Sequence, residues 1–207
     1  MGGGGAAATG AELGHPFQLI PFPDAPSPAA PSAGAAAPIP QGLAVDGWIR
    51  RQGEQLTVTY RLHDPARTLA IPPLAPAPQR RDELWKATCL ELFLALPEQE
   101  GYREFNLSPS GDWNVYELSG YRQGLQPDPA WQALPFTRRD EAGPQSPAAL
   151  VAQFTTTLPP DLAAAPVLEA AVTAVLQLQD GSCCYWALRH PGEEADFHRR
   201  DGFALRL

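Results

Sequence analysis

The chain has 207 residues, 44% of them hydrophobic and 18% charged, with 18 Gly and 24 Pro, a length that suits one domain with loosely structured connections. Its 15 Lys and Arg stand against 23 Asp and Glu, a formal net charge of -8, so the positive footprint that grips nucleic-acid phosphates or an anionic bilayer is missing. Pro, Arg and acidic residues interrupt every apolar run before the roughly 20 residues a membrane span needs. The Gly- and Ala-rich start has neither a basic region nor the apolar stretch of a secretion signal, which points to a soluble, cytoplasmic protein.

Residues 1–14 read as a disordered low-complexity terminus, and 15–207 as one domain. Seven prolines fall between Pro21 and Pro40, among Ala, Ser and Gly, so 21–40 is expected to be a Pro/Ala-rich loop. From there the dominant period is two, the period of a strand, and helical periodicity is nearly absent. Leu56, Val58, Tyr60 and Leu62 alternate with Thr57, Thr59 and Arg61, which predicts one buried and one wet face. Ile71 to Pro78 is expected to be a long loop.

Leu90, Leu92, Leu94 and Leu96 alternate with Glu91, Phe93 and Ala95, so Glu91 projects away from the leucine-lined core. Phe105 and Leu107 alternate with Glu104 and Asn106, and the turn Ser108-Pro-Ser-Gly111 leads into a strand from Asp112 to Leu118. Arg138 to Pro147 reads as a second long loop, and Leu150 to Leu158 as a strand. Val167 to Leu178 also reads as a strand, although its Ala-rich first half suits a short helix by propensity. Asp180-Gly181 predicts a tight hairpin with positive φ values into Cys183–Leu188, and Phe203, Leu205 and Leu207 alternate at the end. Eight to ten short strands with turns between them make the fold class all-β, an antiparallel β-sandwich, with an open barrel as the alternative.

Two segments carry most of the chemistry, Asp82-Glu-Leu-Trp-Lys-Ala-Thr-Cys-Leu-Glu-Leu-Phe-Leu94 and Tyr102-Arg-Glu-Phe-Asn-Leu-Ser-Pro-Ser-Gly-Asp-Trp-Asn-Val-Tyr116. Together with Tyr185-Trp-Ala-Leu188, His190-Pro191, Asp196-Phe-His198 and Gly202-Phe203, they resemble the DOMON-like superfamily. Within it they are similar to the family 9 carbohydrate-binding modules and to small bacterial stand-alone proteins. The resemblance covers most of residues 17 to 207. It implies a jelly-roll or immunoglobulin-like sandwich that holds a sugar between aromatic rings. Trp85 and Glu91 match one stacking Trp and its accompanying carboxylate, and Trp113 and Trp186 are both candidates for the second ring. An indole face suits the C–H side of a pyranose, and carboxylates and amides suit its hydroxyls. By parity Glu91, Glu104 and Asn106 share a polar face, which adds Glu104 and Asn106 to the candidate site.

The resemblance also raises structural calcium, but Asp24, Asp46 and Asp64 form no dense oxygen-ligand loop, so no metal ligand is assigned. Haem held by Met and His is excluded by a single methionine, Met1, and no CxxCH motif supports a pair of histidines. His190 and His198, with acids between them, could bind zinc or act in acid/base work, but their spacing matches no standard site; the competing reading makes His190-Pro191 a turn with its ring on backbone, and Asp196 with His198 a satisfied pair. Cys89, Cys183 and Cys184 lack CxxC spacing and read as thiols in a reducing compartment. Glu91 and Glu104 invite a two-carboxylate glycosidase mechanism, which requires a separation that sequence does not supply. The reading is therefore a non-catalytic module for a sugar or sugar derivative. The rival is a protein-interaction or self-association module, since aromatic faces serve protein interfaces equally well.

Overall fold

The computed structural model describes residues 14–22, 39–143 and 146–207, with side chains of 142–149 excepted; the low-complexity start, most of the 21–40 loop and Asp24 lie outside the described residues. The fold is a β-sandwich of two antiparallel sheets. The first sheet holds β1 (His15–Gln18), β3 (Ala44–Gln52), β4 (Gln55–His63), β9 (Phe136–Gly143) and β10 (Ser146–Thr157), in the order β1-β3-β4-β10-β9. The second holds β2 (Ile20–Pro21), β5 (Cys89–Ala95), β6 (Tyr102–Leu107), β7 (Trp113–Leu118), β8 (Gln126–Pro127), β11 (Glu169–Gln177) and β12 (Cys183–Ala187). Its order is β2-β12-β11-β5-β6-β7-β8, with β13 (Leu205–Arg206) paired to β11 beyond the end of β12.

The period-two pattern explains the core. Leu56, Val58, Tyr60 and Leu62 of β4 face Leu90, Leu92 and Leu94 of β5, Phe105 of β6, and Val172 and Leu176 of β11, all buried in one cluster. Across this layer the Tyr60 hydroxyl donates to the Glu91 carbonyl at 2.6 Å, a direct link between the sheets. β-pairing wins over the helical propensity of alanine at 167–175, because Ala170, Val172 and Ala174 are buried where β11 pairs with β5 on one side and with β12 and β13 on the other. The one α-helix among the described residues, α1 (Pro160–Ala163), has four residues.

Two expectations change. Arg138 to Pro147 is not a long loop: β9 and β10 run through it as a hairpin, and charged Arg138, Arg139, Asp140 and Glu141 form the sheet's edge strand. Charge without apolar alternation reads as loop, yet it is what keeps an edge strand from pairing with other chains. The Asp180-Gly181 hairpin closes through three residues: only Gly181 takes positive φ (+88°), donating to Leu178 O at 2.9 Å, while Leu178 N–H reaches Ser182 O at 2.8 Å. Gly111 (φ +94°) ends the Ser108–Asp112 turn in the same way, so both are type I turns followed by a left-handed glycine.

Candidate functional site

The outer face of the second sheet is not wet. Glu91 is 2% exposed and Glu104 4%, because the segment after β12 folds back over the sheet and packs Phe197 and Phe203 near Phe93, Tyr102 and Leu118. This second layer leaves a cavity of about 350 Å³, within the size range of small-ligand sites. Trp85, Phe93, Tyr185 and Phe197 supply aromatic walls, Leu118, Leu125 and Val175 aliphatic ones, and Glu91, Glu104, Arg122 and His198 the polar groups.

Trp85 sits on a single 3-10 turn, Leu84–Lys86, entered through Glu83 in the left-handed region (φ +61°). Asp82 anchors that turn by accepting from the Tyr116 hydroxyl at 2.8 Å and from Asn114 Nδ2 at 3.0 Å. The half-buried indole then meets the Tyr116 ring edge-on, with centroids 5.8 Å apart. Backbone register places the acids: Glu91 lies opposite Asn106 and Phe93 opposite Glu104, so the two carboxyls are diagonal neighbours on one face.

Thr173 donates to Glu91 Oε2 at 3.0 Å. Asn106 Nδ2 donates to Glu104 Oε1 at 2.8 Å, whereas the buried Glu104 Oε2 has no hydrogen-bond partner among the described residues. Burial, and then the charge of Glu104, push the Glu91 carboxyl up to about 8; burial also raises Glu104, against the Asn106 bond that lowers it. A buried carboxyl without a counter-charge holds its proton. His198 lies beside them, its Nδ1 4.0 Å from Glu104 Oε2 and 2.8 Å from the Tyr102 hydroxyl. Burial, helped by Arg122, holds the imidazole down at about 4 and therefore neutral. The Tyr102 oxygen also accepts from Arg122 N–H at 3.2 Å, and either Tyr102 or His198 can supply the proton of the bond between them, according to the imidazole tautomer.

At the mouth, the loop between β7 and β8 is tied to the C-terminal segment through Asp196. That carboxylate accepts from Tyr121 OH at 2.5 Å, from Arg122 at 2.9 Å and from the His198 N–H at 3.1 Å. Asp196 thus meets His198 through the backbone, while the ring is held by Tyr102. His190 bonds the Ile20 carbonyl at 2.9 Å, a ring-to-backbone contact of the expected kind.

The structure therefore brings Trp85, Glu91 and Glu104 to one cavity. Asn106 is fully buried beneath it and reaches the cavity only through Glu104. Trp113 and Trp186 point the other way, into the core between the sheets. Arg122, Tyr185 and Phe197 escape the sequence reading of the site, and His198 enters it only as the alternative to a satisfied pair. Alternation could have found Tyr185, because Trp186 and Cys184 face the core and Tyr185 must face the side of Glu91. Arg122 and His198 come from loops, where no period exists to read.

Calcium ligands do not assemble from the described aspartates: Asp46 binds His63 and Arg61, and Asp64 caps the Thr68 and Leu69 N–H groups. Among the described residues no three His, Cys, Asp or Glu side chains gather as a metal site, and no helix is long and apolar enough to cross a membrane.

No family model matches the sequence, and no curated protein is significantly similar to it. Among solved structures, a candidate carbohydrate-binding protein from Bacteroides uniformis shares the fold, with a TM-score of 0.60 and 11% identity over 93% of this chain and 85% of that one. A family 9 carbohydrate-binding module from Caldicellulosiruptor kristjanssonii, in complex with cellotriose, aligns at a TM-score of 0.36 and 12% identity over 72% of this chain and 66% of that one, too distant to carry an argument. The chain is thus similar in architecture to a sandwich from Bacteroides uniformis, at an identity that speaks for the fold alone.

Proposed function

We propose that the protein is a non-catalytic module that binds a sugar or sugar derivative in the cavity over the second sheet, with Trp85 as the stacking platform. The observation that carries this reading is the cavity's composition: a half-buried indole and three further rings around a floor holding Glu104 and His198. A pyranose has just such a pair of surfaces, an apolar C–H face and a polar rim. The DOMON-like resemblance and the Bacteroides uniformis neighbour agree with it. Asn106 acts as a positioning residue for Glu104, and Trp113 and Trp186 as core residues.

Catalysis by the two carboxyls is the weaker reading, since Glu91 is 2% exposed and one of its oxygens is engaged by Thr173. An interaction module also has less support. The exposed large apolar side chains among the described residues, Ile20, Leu74, Tyr121 and Leu125, lie on three separate segments.

The test is calorimetry and thermal shift against mono- and disaccharides, with wild type and Trp85→Ala. A saturable stabilisation is expected for wild type, about 2.7 kcal/mol at a hundredfold excess over Kd. Loss of that stabilisation in folded Trp85→Ala supports the platform, and an unresponsive wild type across the panel removes the sugar reading.

A further inference from the structure

We infer that the cavity selects a positively charged ligand, an amino sugar whose protonated amine seats beside Glu104; this rests on the sugar-binding reading above. The first observation is an imbalance of hydrogen-bonding groups. Glu104 Oε2 is buried without a partner among the described residues, and Asn106 occupies only the other oxygen. Glu91 adds a second carboxyl diagonally across the same face.

Among the described residues no cation bonds these acids; the charge of Arg122 reaches Glu104 and draws its carboxyl down, but burial outweighs it. The Arg122 guanidinium is bound to Asp196 at 2.9 Å, at the mouth of the cavity. The His198 nitrogen nearest Glu104 is engaged by Tyr102, and the ring is neutral. From β11 the group facing Glu91 is the uncharged Thr173. From β12 it is Tyr185, a phenol that burial keeps protonated.

A neutral hexose offers hydroxyls to this floor but no charge. An ammonium offers three donors and no acceptor, which suits the unpartnered Glu104 Oε2. Its charge would also stand against the aromatic walls, whose ring faces attract cations. The raised affinity of Glu91 and Glu104 for protons is the same imbalance seen from inside: in the absence of a cation, protons take its place. A carboxylated sugar would add a like charge and be rejected.

The experiment is titration calorimetry of the wild-type protein at pH 7 with glucosamine, glucose and glucuronate, repeated with Glu104→Gln. One hydrogen bond to a charged group corresponds to about a 10- to 100-fold preference for glucosamine over glucose, with glucuronate weakest. In Glu104→Gln that ratio should collapse toward one. Glucose or glucuronate binding as tightly as glucosamine overturns the inference and leaves the sugar site standing. Absence of binding by all three sugars overturns both. A folded Glu104→Gln that keeps the full preference overturns the inference, and if that variant does not fold the wild-type series decides alone.

Discussion

A carboxyl taken out of water must keep its proton or find a cation, and Glu91, with only the Thr173 hydroxyl and the Cys89 thiol to help it, keeps its proton to about pH 8. This makes stability depend on pH with a definite sign. The folded state binds the Glu91 proton more tightly than the unfolded chain, whose carboxyl titrates near 4.5, so this contribution is complete below 4.5 and lost as pH rises toward 8. His198 works in the other direction, since its folded value near 4 lies below the ordinary 6.5, and its contribution is lost as pH falls through that window. The two oppose each other between 4.5 and 6.5. Above 6.5 only the carboxyls act, with Glu104 in the same direction as Glu91. Thermal melts should therefore show a Tm that falls from pH 6.5 to 8. Glu91→Gln should flatten that fall, and a slope unchanged by the substitution would mean that Glu91 is not the proton holder.

At the scale of elements, strands of the first sheet could be read from sequence because one face is partly wet: Leu56 to Leu62 are buried and alternate with half-exposed Thr57 and Arg61, although Thr59 between them is buried as well. β5 could be placed but not fully interpreted. All seven of its residues are buried, since the returning C-terminal segment covers its second face. An acid on a strand reads as solvent-facing, and only the packing of residues a hundred positions later reverses that reading. The cavity was legible in part for the same reason. Glu91 and Glu104 share a face by parity alone, whereas His198 and Arg122 arrive by tertiary folding. A single side chain closes the end of α1, whose Leu162 is buried in the core. Arg51 Nη2, from β3, donates to the carbonyls of Leu162, Ala163 and Ala165 at 3.2, 2.8 and 2.7 Å, filling the end of α1 that a four-residue helix cannot satisfy itself. Arg51→Ala should cost about 1–3 kcal/mol in urea unfolding, the worth of charge-assisted bonds to helix-end carbonyls. Arg51→Lys should recover only part, because one ammonium cannot match the guanidinium's reach.

For the molecule as a whole, the five-stranded sheet depends on a pairing between distant parts of the chain. β4 sits between β3 and β10, and the threonine pair that marks its contact with β10, Thr57 and Thr155, is 98 residues apart. Closing so long a loop before any contact rewards it slows folding. Refolding from urea is accordingly expected on the order of milliseconds to seconds, the range of sandwiches dominated by non-local pairs. Stopped-flow fluorescence, with Trp131 and Trp186 buried in the core as reporters, would measure it. A microsecond phase carrying the full amplitude would contradict a β4–β10 contact as the late step.

The same pairing has a consequence during synthesis. β4 leaves the ribosome with β3 on one side and a bare row of backbone donors and acceptors on the other, and its partner strand is made roughly a hundred residues later. At about 5–20 residues per second that interval lasts on the order of 5–20 seconds. In its first part, until β5 and β6 have been made, Leu56, Val58, Tyr60 and Leu62 also have no second sheet to cover them. The nascent chain thus passes through a stage with both an open edge and an uncovered apolar face, the combination that holdase chaperones recognise and that crowded translation turns into aggregates.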